Sequence, residues 1–387
     1  MGRREKFFRL KDCIRLLLIL SLVKGYIWAG SSTKIGQGVV FSFLDNERLL
    51  FFKYSGNLLQ SINIYNLRKK EIKEGIAYLP KECAPLDTRA LIPSLSPGGK
   101  VIAFAGPPME ESSQKGFRVL LLDIASEKIK ELRQVKDTLS SMDRISWSPD
   151  GKAITYTARK PGCFYRGIVY RLKNPNMPPS EDNPYIEEET NLPREGIWIA
   201  YLGENREEQL TIDADSDDFA PIFTPHGEAV LYTSVKGKYV NICIVDLKTK
   251  RANYLTTDND SFLPYPSPDG KQIVYYRKKG DGELWLIDMN KNERMPLVDK
   301  LPVYPMLPFL WHPSGEGVFF VAKNRNKWLI AFVEVSTGNI EEILSSEDPI
   351  ISYSISPDGK WLAYSVSSKE ERGEEAFSYI TSFSRGK

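Results

Sequence analysis

Ser148-Pro149-Asp150-Gly151-Lys152, followed by Ile154 and Tyr156, is one copy of a phrase that recurs along the chain. The other copies are Ser96-Pro97-Gly98-Gly99-Lys100, Thr224-Pro225-His226-Gly227-Glu228, Ser267-Pro268-Asp269-Gly270-Lys271, His312-Pro313-Ser314-Gly315-Glu316 and Ser356-Pro357-Asp358-Gly359-Lys360. Proline presets φ near the value a tight turn needs, Asp or Ser bonds the local backbone, and Gly takes the left-handed conformation that closes the turn. Each turn is followed by an aliphatic-x-aromatic alternation: Ile102 and Phe104, Ile154 and Tyr156, Val230 and Tyr232, Ile273 and Tyr275, Val318 and Phe320, Leu362 and Tyr364. Period two marks a strand, and it predicts that one face is consistently buried.

A third strand follows in each unit, as in Val119 to Ile124, Ile242 to Leu247 and Ile330 to Val335, then a polar turn and a weaker fourth strand. Phe41 to Phe51 fits the same template without Pro and Gly and makes a degenerate first unit. With Leu44 standing in for its Pro, successive spacings are 53, 52, 76, 43, 45 and 44 residues. Apart from insertions, these approach the ~40 to 45 residues of a four-stranded propeller blade. The expected fold is all-β, a β-propeller of seven units, or six if the first is irregular. The last unit has three strands, so the segment near Ser32 to Gln37 is expected to supply its fourth and close the ring.

The phrase resembles the TolB-like, or WD40-like, β-propeller repeat: a Ser-Pro-Asp-Gly-Lys turn and then an apolar-aromatic strand. The resemblance covers residues 90 to 387 well and the first unit loosely. It is to the propeller part, not to the additional α/β domain that TolB carries. The prolyl oligopeptidase family also joins such a propeller to an α/β-hydrolase domain, but the Gly-x-Ser-x-Gly elbow of that chemistry is absent from this sequence.

Hydrophobic residues make up 42% and charged residues 26% of the 387, the balance of a chain that folds in water. The formal charge of +2 divides into +5 over residues 1 to 30 and −3 over the remainder. A slightly acidic body without a basic stripe argues against nucleic acid as a partner. Residues 1 to 30 place Arg3, Arg4, Lys6, Arg9, Lys11 and Arg15 before the apolar run Leu16 to Val23, the order of an export signal. That run is shorter than the ~18 to 20 residues that span a bilayer, so any membrane contact would come from an uncleaved anchor at this end. Residues 31 to 387 are then the propeller, placed in the periplasm or outside the cell.

The 76-residue spacing marks an insertion, Lys160 to Arg194, between the second and third strands of the third unit. It carries Phe164, Tyr165, Arg166, Tyr170, Arg171 and Tyr185, and can fold over one mouth of the channel as a binding loop. Its tail, Ser180 to Pro184 and Glu187-Glu188-Glu189, is acidic and Pro-interrupted, which suits a solvated excursion equally well. The links on the same face hold Asp87, Asp143, Asp213, Asp215, Asp217, Asp218, Asp258, Asp260, Glu347 and Asp348. Such a ring would attract a cationic peptide or a metal, although an Asp before an inner strand often only bonds the entering backbone. Asp213 to Asp218 opens like a calcium loop, but Asp218 and Thr224 stand where an EF-hand needs Gly and Glu.

Only two histidines occur, His226 and His312, each inside a turn copy, so a zinc or imidazole-based catalytic site is not expected, nor is a metal or other cofactor. Cys83 and Cys163, both expected on the insert face, are a candidate disulfide. The tryptophans Trp147, Trp198, Trp285, Trp311, Trp328 and Trp361 fit inter-blade packing better than a sugar platform. The sequence thus points to an exported monomeric propeller that binds an envelope protein or peptide without catalysis. The binding candidates are Phe164, Tyr165, Arg166, Tyr170, Arg171, Asp217, Asp218 and Asp260. The rival reading is a lyase or hydrolase acting on an envelope polysaccharide or peptide through carboxylates such as Asp217 and Asp260; a third is a scaffold.

Overall fold

The computed structural model describes residues 32–55, 58–78, 93–106, 116–136, 144–172, 185–204, 206–370 and 373–383. In it the turn phrase does what its residues dictate. In the copy at Ser148, Ser148 Oγ donates to Asp150 Oδ1 at 2.6 Å and accepts from the Ala153 N–H at 2.9 Å. Asp150 Oδ1 also accepts from the Lys152 N–H at 3.0 Å, and Gly151 closes the turn at φ 70°. The copies at Ser267 and Ser356 repeat these bonds.

The strands are β1 (Thr33–Gln37), then β2 (Val39–Phe43), β3 (Arg48–Ser55), β4 (Leu58–Asn66) and β5 (Glu71–Tyr78) of blade 1. Blade 2 is β6 (Ser94–Leu95), β7 (Val101–Gly106), β8 (Gly116–Asp123) and β9 (Lys128–Lys136). Blade 3 is β10 (Ser146–Trp147), β11 (Ala153–Leu172), β12 (Tyr185–Tyr201) and β13 (Arg206–Gln209). Blade 4 is β14 (Asp217–Phe223), β15 (Ala229–Lys236), β16 (Tyr239–Asp246) and β17 (Ala252–Tyr254). Blade 5 is β18 (Ser261–Pro266), β19 (Gln272–Arg277), β20 (Glu283–Asp288) and β21 (Glu293–Val298). Blade 6 is β22 (Leu310–Trp311), β23 (Gly317–Asn324), β24 (Lys327–Glu334) and β25 (Ile340–Ser346). Blade 7 is β26 (Ile350–Ile355), β27 (Trp361–Glu370) and β28 (Gly373–Ser382), completed by β1.

The protein is therefore a seven-bladed, all-β propeller of four-stranded antiparallel sheets, and its first unit is a full blade. The ring closes as expected: Thr33 pairs with Ile380 and Gln37 with Phe377. Among the described residues there is no helix long and apolar enough to cross a membrane.

Burial departs from the expectation in one respect. The alternating residues are buried, but so are those between them: Ala103, Thr155, Leu231, Val274, Phe319 and Ala363 are fully enclosed. Each blade is sandwiched between two neighbours, so its second strand has no solvent face. Seven apolar clusters result, one at each blade interface; that between blades 7 and 1 joins Val40, Phe43, Leu49, Phe51 and Tyr65 to Ala363 and Ile380. Tryptophan fits the same scheme. Trp147 Nε1 donates to the Ser94 carbonyl at 2.9 Å, and Trp311 Nε1 to the Tyr265 carbonyl at 3.0 Å, each on the inner strand of the preceding blade.

The turns form a collar on one face. A Cβ on Gly227 would lie 3.2 Å from Pro149 Cδ, and one on Gly359 would run into the His312 ring. Gly315 alone among these turn glycines at positive φ has nothing within 4 Å. The ring of turns closes where the Asp358 N–H donates to Asn46 Oδ1 at 2.9 Å.

Candidate functional site

β11 leaves the turn collar and β12 returns to it, so their hairpin end stands on the opposite face, with the links between blades. The insertion continues this ladder. After a bulge between Arg159 and Phe164, pairing resumes at Phe164 with Pro193 and runs to Leu172 with Tyr185. Pro161 and Gly162, the latter at φ 72°, sit inside the bulge, while the aromatic and β-branched run from Phe164 to Leu172 has the composition of a strand. The result is a two-stranded arm, not an irregular loop, and Glu187-Glu188-Glu189 lies in strand. The segment Ser180 to Pro184 lies outside the described residues.

The arm is locked at its root. Lys160 is wholly buried, and its Nζ donates to Asp218 Oδ2 at 2.7 Å, the Ser216 carbonyl at 2.7 Å, the Asp213 carbonyl at 2.8 Å and Ser216 Oγ at 3.0 Å. Its stem passes over Gly196, where a Cβ would lie 2.7 Å from Lys160 Cε; only glycine leaves room for it. Asp218 is 1% exposed, and its Oδ1 accepts from Ser234 Oγ at 2.6 Å. A buried charge is tolerated only when paired and hydrogen-bonded in this way.

Asp217, next along β14, is half-buried. Its Oδ2 accepts from Arg194 at 2.9 Å and its Oδ1 from the Glu195 N–H at 3.0 Å. Burial raises its carboxyl above the ordinary aspartate value, with the Glu195 N–H, Arg194 and Lys160 opposing and Asp218 adding to the rise. Asp213 is held below that value, first by the Asp215 N–H, against burial, and also by Lys236, whose Nζ lies 3.1 Å from it.

The sequence candidates therefore divide. Asp217 and Asp218 come together with Lys160 and Arg194 as the root of the arm, and Asp218 is enclosed there, away from any external ligand. Phe164 is exposed beneath the Arg159 guanidinium, Tyr165 is half-buried beneath Arg194, and Arg166 is exposed. Tyr170 and Arg171 pair through their backbones with Glu187 and Ile186. Asp260 stands exposed in the next link, where its carbonyl accepts from the Lys278 N–H at 2.9 Å. Cys163 is partly exposed, and Cys83 lies outside the described residues, as do Asp87 and Asp143.

Sequence reasoning missed Lys160, Gly196, Ser216, Ser234 and Lys236. It also missed that the arm, the following link and blade 4 each expose apolar side chains. Phe164, Ile186, Ile212 (80% exposed), Tyr239 and Tyr254 belong to the arm, the following link and blade 4, and Tyr254 lies within electrostatic reach of Lys236 and Asp213. The other exposed large apolar side chains among the described residues, Ile72, Met295, Ile340 and Trp361, are spread over blades 1, 5, 6 and 7. No group of three or more His, Cys, Asp or Glu side chains suited to a metal occurs among the described residues.

No family model matches this chain, and no curated protein does. Solved structures do. TolB from Acinetobacter baumannii is similar over 80% of this chain at 17% identity and a TM-score of 0.50, and this chain spans 63% of that one. An oligogalacturonate lyase in complex with manganese is similar over 93% of this chain and 96% of its own at 11% identity, TM-score 0.64. The oligogalacturonate lyase of Vibrio parahaemolyticus is similar over 92% and 96% at 10% identity, TM-score 0.63. At these identities the likeness is one of fold: the chain is a seven-bladed β-propeller, similar in fold to TolB.

Proposed function

We propose that this protein is an exported propeller of the cell envelope that holds a protein or peptide partner noncovalently on its blade 3 arm and the adjoining rim of blade 4. One observation carries the reading. The arm is fixed at its root by a buried lysine with four oxygen acceptors, and it presents Phe164 and Ile186 to solvent. Exposed apolar side chains held on a rigid support characterise recognition surfaces. Export rests on the basic and apolar order of residues 1 to 30. The test is capture from envelope extract with the full chain and with a variant in which a short Gly-containing turn replaces residues 164 to 193, leaving Lys160, Arg194, Asp217 and Asp218 in place. A partner held by the full chain alone supports the reading; identical captures overturn it.

The likeness in fold to oligogalacturonate lyases favours a second reading, a lyase acting on an acidic polysaccharide. Its chemistry needs a base beside the sugar. Incubation with oligogalacturonate, followed by the ultraviolet absorbance of the unsaturated product, tests it directly.

A further inference from the structure

The channel of the propeller is lined by the first strand of each blade, and these strands are short of charge. β2, β6, β10, β14, β18, β22 and β26 hold two charged residues between them, Asp217 and Asp218, both engaged at the arm root. Arg144 joins this wall four residues before the turn at Ser148. Counted back from their own turns, Ala220, Leu263, Pro308 and Ser352 hold the same place in blades 4 to 7, so Arg144 is the one cation on that level of blades 3 to 7. Its guanidinium crosses the channel. Nη1 donates to the Pro264 carbonyl at 3.3 Å, and Cζ lies 4.0 Å from the centroid of the Tyr265 ring. Both partners belong to β18 of blade 5, and blade 4 stands between, so the side chain reaches them only across the channel. The platform beneath it is fixed. The Tyr265 carbonyl accepts from Trp311 Nε1 at 3.0 Å, and its ring meets Phe309 edge-on with centroids 5.3 Å apart. Leu263, just before Pro264, is held in the left-handed region at φ 54°, with its N–H donated to Thr233 Oγ1 at 3.0 Å.

The charge of Arg144 is met differently from that of its peers. Lys160, Arg194 and Arg277, also buried or half-buried, each meet a carboxylate, respectively Asp218, Asp217 and Asp258. Arg144 is half-buried with one long hydrogen bond and a ring face instead, and no carboxylate of the described residues lies within 4 Å of it. A half-buried charge costs free energy unless an anion meets it. A guanidinium has five N–H donors in one plane, so the bond to Pro264 leaves donors to spare along its edge. We infer that the channel binds a carboxylate at Arg144, paired edge to edge with the guanidinium above the Tyr265 face. A single planar cation on this level suits a planar monoanion better than a phosphate dianion. Two sources carry that group, a free organic acid and the C-terminus of a peptide entering by one mouth. The inference stands apart from the arm and depends on neither reading given above.

The test is calorimetric titration and urea unfolding of the full chain with succinate, with trialanine and with trialanine amide, against sodium chloride at matched ionic strength. Arg144→Gln removes both the charge and the fork; Arg144→Lys keeps the charge alone. The expected result is saturable binding of succinate or trialanine with a raised urea midpoint, and no binding of the amide. Binding should weaken at least ~10-fold in Arg144→Gln, from the loss of a charge-assisted pair, and by less in Arg144→Lys. Tighter binding of succinate assigns a free acid, and tighter binding of trialanine a peptide terminus; either supports the inference. Equal binding by Arg144→Gln and the parent overturns it, as does chloride raising the midpoint equally far. Binding of neither probe by the parent also overturns it and assigns Arg144 to bracing blade 3 against blade 5, a role in which Arg144→Gln lowers the urea midpoint with no ligand involved. If Arg144→Gln does not fold, Arg144→Lys decides, and an unchanged affinity in that variant overturns the inference.

Discussion

The two faces of the propeller are built from the same seven units and share almost nothing else. On the collar face blades 2, 3, 4, 5 and 7 each contribute a turn whose glycine meets the preceding turn, from Leu44 against Gly99 to His312 against Gly359. On the opposite face the links differ in sequence, one hairpin is prolonged into an arm, and the buried ion pair Lys160–Asp218 has no counterpart among the described residues of the other blades. Repetition follows where each blade must fit the next, and departure from repetition follows where that demand is relaxed. The collar is thus a packing surface, and the arm face is where the blades are free to differ.

The comparison breaks first at the arm root. Lys160→Met leaves Asp218 buried without its cation and is expected to cost ~3 to 5 kcal/mol, with Lys160→Met, Asp218→Leu recovering a large part. Urea unfolding measures both, and hydrogen exchange should show loss of protection in arm amides before those of blades 5 to 7. The collar is probed by a pair of equal substitutions. Gly359→Ala should cost ~2 to 3 kcal/mol, because the left-handed φ of 73° and the nearby His312 ring both oppose a side chain. Gly315→Ala, with the same strain and open space, should cost ~1 kcal/mol; equal losses would mean that the collar does not pack. Trp311→Phe strands the Tyr265 carbonyl and should cost ~1 to 2 kcal/mol by thermal or urea unfolding, as should Trp147→Phe at Ser94.

The smallest effect is a contrast in sign. Asp150 is held below the ordinary carboxyl value by Ser148 Oγ and the Lys152 N–H, and Asp269 by Ser267 Oγ and the Lys271 N–H. Their stabilisation is present above that value and is lost as pH falls through the depressed one. Asp217 is raised by burial, so its contribution is present at low pH and is lost as pH rises from the ordinary value through the raised one. Across the acid range, Asp150→Asn should fall behind the parent as pH rises, while Asp217→Asn gains on it. Urea midpoints at successive pH values test both, and parallel curves would remove the contrast.

The ring was readable because turn chemistry is local: Pro, Asp and Gly act on their own backbone, so each copy announces a blade. Closure by the strand at Thr33 was readable from the missing fourth strand of blade 7. The enclosure of both faces of the second strands was not, because Thr155 and Ala363 break the apolar pattern and are covered by neighbouring blades. The arm escaped for two reasons. Pro161, Pro193 and the run of glutamates look like loop, while the register that makes them strand is set by the blade beneath. Lys160 reads as an exposed charge because its carboxylate partner lies 58 residues away and the glycine that admits it lies on another strand.

The clasp between β1 and β28 has a consequence for biogenesis. Ser378 Oγ donates to the Gly38 carbonyl across 340 residues of chain. During synthesis at ~5 to 20 residues per second, the segment that becomes β1 therefore waits many seconds for its partner. Blades 1 to 6 have their strands in hand before then, so the final strand acts as a latch, and the open disc with two bare blade sides is the species a chaperone would meet. Mature protein should be long-lived once latched and should come apart from the same seam.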